Sequence, residues 1–246
     1  MSGHSKWSTI KRKKGANDAK RGKLFAKLIR AIEVAAKNGG TDPSHNASLY
    51  QAISKAKSMS VPNDNIEKAL KRLNGQQDGD DFEEIFYEGY APHGVAVLVE
   101  CLTDNRNRTS SDVKSTFSKY NGSTGAPGSV NYLFERRAIF QFDKSSEILI
   151  NIAIENSCLD FTESNEGITF EFTPQDFKKL DEIFQNNNYK STNAEVAYIP
   201  ANSIMLQLEQ FKKVSNLIEA LEDLDDIQNV YTNFDIDENL LENAIT

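Results

Sequence analysis

The spacing of apolar positions changes character along the chain. From Asn17 to Asn38 they recur with a helical period: Leu24, Phe25, Leu28, Ile29, Ile32, Ala35 and Ala36. At about 100° per residue these cover one arc, and Lys20, Lys23, Lys27 and Arg30 fall nearly opposite. The pattern predicts one amphipathic helix, capped by Asn17 or Asp18 and stopped at Gly39-Gly40. A second helix follows Asp42-Pro43, with Leu49, Ile53 and Ala56 inward, and ends before Val61-Pro62. A third begins at Asn63 or Asp64, with Glu67 at capping-box spacing and Ile66, Ala69, Leu70 and Leu73 inward. Three short helices with short connections predict a bundle. Gln76 to Asp81 reads as a polar hinge.

Beyond the hinge the pattern alternates between strand and helix. FEEIFYEGY and VAVLVECL read as strands separated by the turn APHG. A helix is predicted from Thr109 to Tyr120, then strands at 130–134 and 138–142. A helix near 146–157 follows, then strands near 159–163 and 168–172. A helix from Pro174 to about Gln185 comes next, with Thr173 as its cap. EVAYIP, residues 204–208 and NVYTNF are further strands, and residues 209–224 form an acidic amphipathic helix. The order strand-helix-strand, strand-helix-strand appears from Ala138 to Pro200. It appears again if the flanking segments are joined across that stretch. The predicted fold class is therefore α+β: a three-helix bundle followed by two ferredoxin-like units, the second inserted into the first. The corresponding domains are residues 1–75, residues 82–136 with 201–246, and residues 137–200.

Charge sharpens this division. The chain of 246 residues has a formal net charge of −8. Residues 1–75 carry +11, and residues 76–246 carry −19. Such asymmetry suggests a nucleic-acid-binding end on a body that repels nucleic acid, although a solvated basic bundle beside an acidic domain gives the same numbers. No window has the uncharged apolar length of a membrane span, and no secretory signal opens the chain. A basic, acid-poor N-terminus also resembles a transit peptide, but here its charges run on into a patterned helix. Two lone cysteines, Cys101 and Cys158, suggest no disulfide framework and fit a reducing cytoplasm.

Little in the sequence points to catalysis. His4, His45 and His93 stand in three separate contexts, without neighbours at metal-ligand spacing. Neither cysteine has a nearby histidine to activate it. GSTGAPG (122–128) lacks the Lys-Ser/Thr of a phosphate loop and follows a helix. It reads as a flexible loop, or as one that moulds to a partner. No catalytic residue, metal site or cofactor is predicted, and neither a membrane nor a small-molecule substrate is expected as partner.

Two basic features remain. The arm HSKWSTIKRKKGANDAKRGK combines Lys6, Lys11, Arg12, Lys13, Lys14, Lys20, Arg21 and Lys23 with Trp7, the chain's single tryptophan. Lysine and arginine neutralise phosphates, and an indole can stack on an unpaired base or pack on the bundle. With Lys27 and Arg30 these residues form the candidate nucleic-acid site. The second feature is LTDNRNRTSSD (102–112). If that segment is extended, Arg106 and Arg108 point the same way and can grip phosphates together. The alternative is pairing with Asp104 and Asp112.

Several stretches resemble one known family. MSGHSKW, DAKRGKLFAKLIR, VPNDNIEKALKR, YEGYAPHGVAVLVECLTDNRNR, PGSVNYLFERR and ALEDLDDIQNVYTNFD are similar, in order, to the YebC/PmpR family. That family includes the mitochondrial translational activator of cytochrome oxidase subunit I. The match is weakest over 143–193. The resemblance implies three domains, no enzyme activity, no cofactor and a role in gene expression. It allows two targets, promoter DNA for a transcriptional regulator, or ribosomal RNA for a factor easing synthesis of proline-rich stretches. Because the similarity begins at residue 2, a bacterial, cytoplasmic member is expected. Lys-rich phosphate contact positions a protein without specifying sequence, which favours the ribosome on physical grounds.

Overall fold

The computed structural model describes residues 18–73, 82–164 and 167–237. The fold is α+β. The chain divides into two compact units, one of residues 1–23, 80–135 and 199–246, the other of residues 24–79 and 136–198. The hinge expected at 76–81 and the arm before Asp18 lie outside the described residues.

The helical segment holds α1 (Asp18–Gly39), α2 (Ala47–Ser58) and α3 (Asn63–Leu73). Gly40 ends α1 in the left-handed region at φ 89°, its N–H donating to the Ala36 carbonyl at 2.8 Å, as a residue without Cβ does at little cost. Asn46 caps α2 by accepting from the Leu49 N–H at 3.0 Å. Its Nδ2 donates back to the carbonyls of Ala35 and Gly40, tying α2 to the end of α1. Leu28, Ile32, Ala36, Leu49, Ala56, Val61 and Ile66 form the bundle core.

In the same unit, β4 (Phe134–Phe142), α5 (Glu147–Glu155), β5 (Asp160–Ser164), β6 (Gly167–Phe172), α6 (Phe177–Asn186) and β7 (Asn193–Pro200) follow in sequence. Their sheet order is β5-β6-β4-β7, with β4/β6 and β5/β6 antiparallel. This is the ferredoxin-like arrangement predicted for the insertion. Its core is aromatic, with Phe140 stacked on Phe177 at 5.1 Å and Phe142 edge-on to Phe184 at 4.9 Å. Tyr50 of α2 joins this core. Its ring meets Phe177, and its hydroxyl donates to the buried Asp181 carboxylate at 2.6 Å. Lys55 pairs with Glu195 at 3.3 Å, and Lys178 Nζ donates to the Ser44 carbonyl.

The other unit contains β1 (Glu83–Tyr90), β2 (Ala96–Thr103), α4 (Arg106–Lys119), β3 (Ser123–Thr124), β8 (Ile204–Leu206), α7 (Leu208–Glu222), β9 (Ile227–Thr232) and β10 (Phe234–Ile236). The sheet order is β3-β1-β2-β9, and β1/β2, β1/β3 and β2/β9 are antiparallel. Val97, Val99 and Cys101 from β2 pack with Val113 and Phe117 of α4 and Phe211, Val214 and Leu217 of α7.

This unit has the strand order of a ferredoxin-like sheet but not the connections read from the sequence. The place assigned to residues 204–208 is taken by β1, while β8 pairs in parallel with β10. Residues 131–133 form a 3-10 turn instead of a strand, and 134–142 is one continuous strand. Alternating burial along β4 supplies the reason, because Ala138, Phe140 and Phe142 extend the inward face begun by Phe134.

Candidate nucleic-acid interface

The candidate site begins on α1. This helix holds Lys20, Arg21, Lys23, Lys27, Arg30 and Lys37 against Asp18 and Glu33. Its apolar stripe faces the bundle core through Leu28, Ile32 and Ala36, so the basic residues are carried on the remaining surface. Arg21 and Lys23 are exposed, and Lys27 and Arg30 are half-buried. Glu33 is met by Arg72 of α3, whose Nη2 lies 2.5 Å from its carboxylate. One of the helix's two acids is thereby neutralised within the bundle. Lys20 lies in α1, but its side chain is outside the described residues, as are Lys6, Trp7, Lys11, Arg12, Lys13 and Lys14.

Arg106 and Arg108 sit differently from the extended pair envisaged above. Asn105 caps α4 by accepting from the Arg108 N–H at 3.1 Å, so both arginines belong to the first helical turn. Residues two apart in a helix do not share a face. Arg106 Nε lies 3.5 Å from Glu83. Arg108 instead joins a cluster centred on Asp226, to which its Nη2 donates at 2.8 Å, with Asp104 a second partner at 2.8 Å.

Thr109 Oγ1 donates to the same Asp226 carboxylate at 2.8 Å, and Thr103 Oγ1 lies 3.2 Å from it. Burial alone would raise the Asp226 pKa, but the hydrogen bonds from Arg108 and Thr109 outweigh it and hold the group below its usual range. The Arg108 guanidinium is correspondingly fixed in its charged form. This cluster joins the start of α4 to the α7–β9 turn.

A second buried acid organises the glycine-rich loop. Glu88 of β1 accepts from the backbone N–H groups of Gly128 at 2.6 Å, Val130 at 2.6 Å and Asn131 at 2.8 Å. Its own carbonyl accepts from the Gly125 N–H at 2.7 Å. Burial would raise the Glu88 pKa, but the backbone donors more than offset this and lower it. The loop at 122–131 is thus a fixed element rather than a flexible one. The sequence carries little sign of this, because Glu88 is one of three glutamates in β1 and only its burial sets it apart from Glu83 and Glu84.

The constellation nearest to a catalytic triad is a turn. Asp42 Oδ2 and Ser44 Oγ approach the same nitrogen of His45, Nδ1, at 2.8 and 2.9 Å in an exposed loop. A relay needs the two partners on opposite ring nitrogens. The Ser44 and His45 hydrogen bonds lower the Asp42 pKa to about 2. His93 occupies a turn at φ 67°. Cys101 is buried in the core, and Cys158 is half-buried with its pKa raised by burial. Among the described residues, no group of three His, Cys, Asp or Glu side chains is placed to hold a metal ion. Nor is any of their helices long and apolar enough to cross a membrane.

These features define an α+β protein that displays a cationic helix and builds its buried acids into loop anchors. Comparison with known proteins then places it. The chain belongs to the TACO1/YebC family: residues 5–76 match the model of the TACO1/YebC protein N-terminal domain, and residues 82–234 that of the TACO1/YebC second and third domain.

A relative from Natranaerobius thermophilus is 46% identical over 98% of this chain and 99% of its own. One from Borrelia garinii subsp. bavariensis is 50% identical over 98% of this chain and 100% of its own. Both are named as probable transcriptional regulatory proteins. Among solved structures, the conserved hypothetical protein Aq1575 from Aquifex aeolicus superposes with a TM-score of 0.79 at 42% identity, over 90% of this chain and 93% of that one.

Proposed function

We propose that this protein is a non-enzymatic, cytoplasmic regulator of gene expression that binds nucleic-acid phosphates through its N-terminal arm and α1. Its target is ribosomal RNA, where it eases synthesis of proline-rich stretches. The observation that carries this reading is the basic surface of α1, with its apolar stripe committed to the bundle core. As compact point charges, lysines suit phosphate contact and salt-dependent binding instead of base readout. A chain that carries +11 over residues 1–75 and −19 over residues 76–246 suits local contact with folded RNA better than an open duplex flanked by more phosphate.

A second reading is favoured by the names of the relatives, which point to transcription and hence to promoter DNA. One competition separates the two. Purified protein is bound to ribosomes at near-physiological salt, and excess duplex DNA is added. Retention on ribosomes supports the RNA reading. Displacement by DNA, with promoter fragments more effective than random ones, supports the transcriptional reading and ends the ribosomal one. Replacing Lys11, Arg12, Lys13 and Lys14 together by alanine should abolish binding and flatten its salt dependence while the fold stays intact. Binding at full strength by that variant would remove the arm from the account.

A further inference from the structure

We propose that the loop from Gly125 to Leu133 is a second contact for RNA, in which the ring of Tyr132 stacks on an unpaired base. This rests on the reading that the protein binds RNA, and adds a site separate from the arm and α1. The first ground is the rigidity of the loop. Besides the donors to Glu88, Tyr90 Oη donates to the Ser129 carbonyl at 2.9 Å, and the Leu133 carbonyl accepts from the Ala201 N–H at 2.8 Å. Gly128 takes φ 87°, where only glycine is unstrained. Val130 is buried beneath the loop. A buried carboxylate that spends all its bonds on one loop fixes a surface before any partner arrives, which lowers the ordering cost of binding.

The second ground is what the loop displays. Ala126, Pro127, Gly128 and Asn131 are exposed, and Tyr132 is 72% exposed. Its ring makes no hydrogen bond or ring contact among the described residues. Tyr132 is the one large hydrophobic side chain exposed on this loop, so it is not part of the wide apolar patch that the core of a protein interface has. Its small and polar neighbours leave its flat face open, and stacking is how an isolated aromatic binds single-stranded nucleic acid.

The third ground is charge. Residues 76–246 carry −19, yet no aspartate or glutamate occurs from Val113 to Phe134. The only charges in that stretch are Lys114 and Lys119, both exposed on α4. The one nearby acid on β1, Glu88, is buried and saturated by backbone donors. Bounded by the exposed Asp112 and Glu135, this segment is neutral to basic within an acidic chain, and so opposes a polyanion less than the rest of residues 76–246 does.

The test uses the full chain and fluorescence anisotropy with a short, unstructured single-stranded RNA and an RNA duplex. Tyr132→Ala should weaken single-strand binding by about tenfold, the scale of losing one stacked base, with an unchanged salt slope because no phosphate contact is lost. Tyr132→Phe should retain binding, and duplex binding should be insensitive to both. Because the ring is exposed, neither variant should change thermal unfolding. If Tyr132→Ala binds single strands as tightly as the native chain while the arm variant still fails, the loop proposal is overturned and RNA binding through the arm stands. That outcome would turn the loop over to a protein partner. If the native chain binds neither RNA nor ribosomes, both proposals fall together.

Discussion

Replacing Glu88 by glutamine keeps the side chain's shape and removes its charge. The native carboxylate is 8% exposed and serves three backbone donors, one on Oε1 and two on Oε2. Glutamine has a single carbonyl oxygen. If that oxygen keeps Val130 and Asn131, its NH2 faces the Gly128 N–H, donor against donor. A hydrogen bond to a charged acceptor contributes about 1.5–3 kcal/mol, and a stranded buried donor costs a similar amount. Gly128 is exposed and can turn to water, which caps the penalty. The expected loss is about 2–3 kcal/mol, read by urea unfolding and by faster hydrogen exchange at the Val130 and Asn131 amides.

Acid should erase the difference. The folded pKa of Glu88 is depressed, so its stabilisation is present above the unfolded value of about 4.3 and is lost as pH falls through the folded one. The native and Glu88→Gln curves should begin to approach as pH falls below the unfolded value and should meet only once it is below the depressed folded one. Equal stability at neutral pH, with unchanged exchange at Val130 and Asn131, would show that Glu88 does not anchor the loop.

Three further outcomes follow from other buried acids. Asp226→Ala strips Thr103, Thr109 and Arg108 of a shared acceptor that is 8% exposed, and should cost about 2–4 kcal/mol in urea unfolding. A loss under about 1 kcal/mol would mean that the cluster is peripheral. Tyr50→Phe leaves the buried Asp181 carboxylate without its phenol donor and should cost about 1–3 kcal/mol, with Asp181→Leu less damaging than its burial suggests. Burial and then the Asp181 hydrogen bond raise the Tyr50 pKa, so in an alkaline ultraviolet titration this phenol should ionise after a free tyrosine does.

Periodicity made most of the elements legible. The helices at Ala47–Ser58 and Asn63–Leu73 and the strand pair around His93 follow directly from apolar spacing and turn residues. Pairing was less legible, because it depends on partners far apart in sequence. Nothing local tells β8 to pair with β10 and not with the main sheet, nor tells Tyr50 to meet Asp181, 131 residues away. The start of α4 was missed for a chemical reason. NRNR contains no apolar residue, so its helicity is set by the Asn105 cap and the Asp226 cluster, neither of which leaves a periodic trace. As a result, two arginines that look like a phosphate grip on paper stand at different acids in the fold.

These long-range contacts change what the family-like strings mean. YEGYAPHG and PGSVNYLFERR look like two motifs, yet Glu88 of the first binds the backbone of the second. LTDNRNR and ALEDLDD also look independent, yet Arg108 of the first meets Asp226, the last residue of the second. In both pairs the charged residue that makes the string recognisable is spent on holding the chain together. Its presence therefore reports a loop or helix start that must keep its shape, and the contact with a partner falls to what that shape exposes. For the first pair the exposed residue is Tyr132, which sequence inspection passes over because it carries no charge and fits no catalytic pattern. For the second it is the half of the Arg108 side chain that remains open to solvent, already balanced by two carboxylates and so poorly suited to attract phosphate. By this argument, base stacking at the loop and charge on α1 are separable functions. Salt should modulate the second and leave the first nearly untouched.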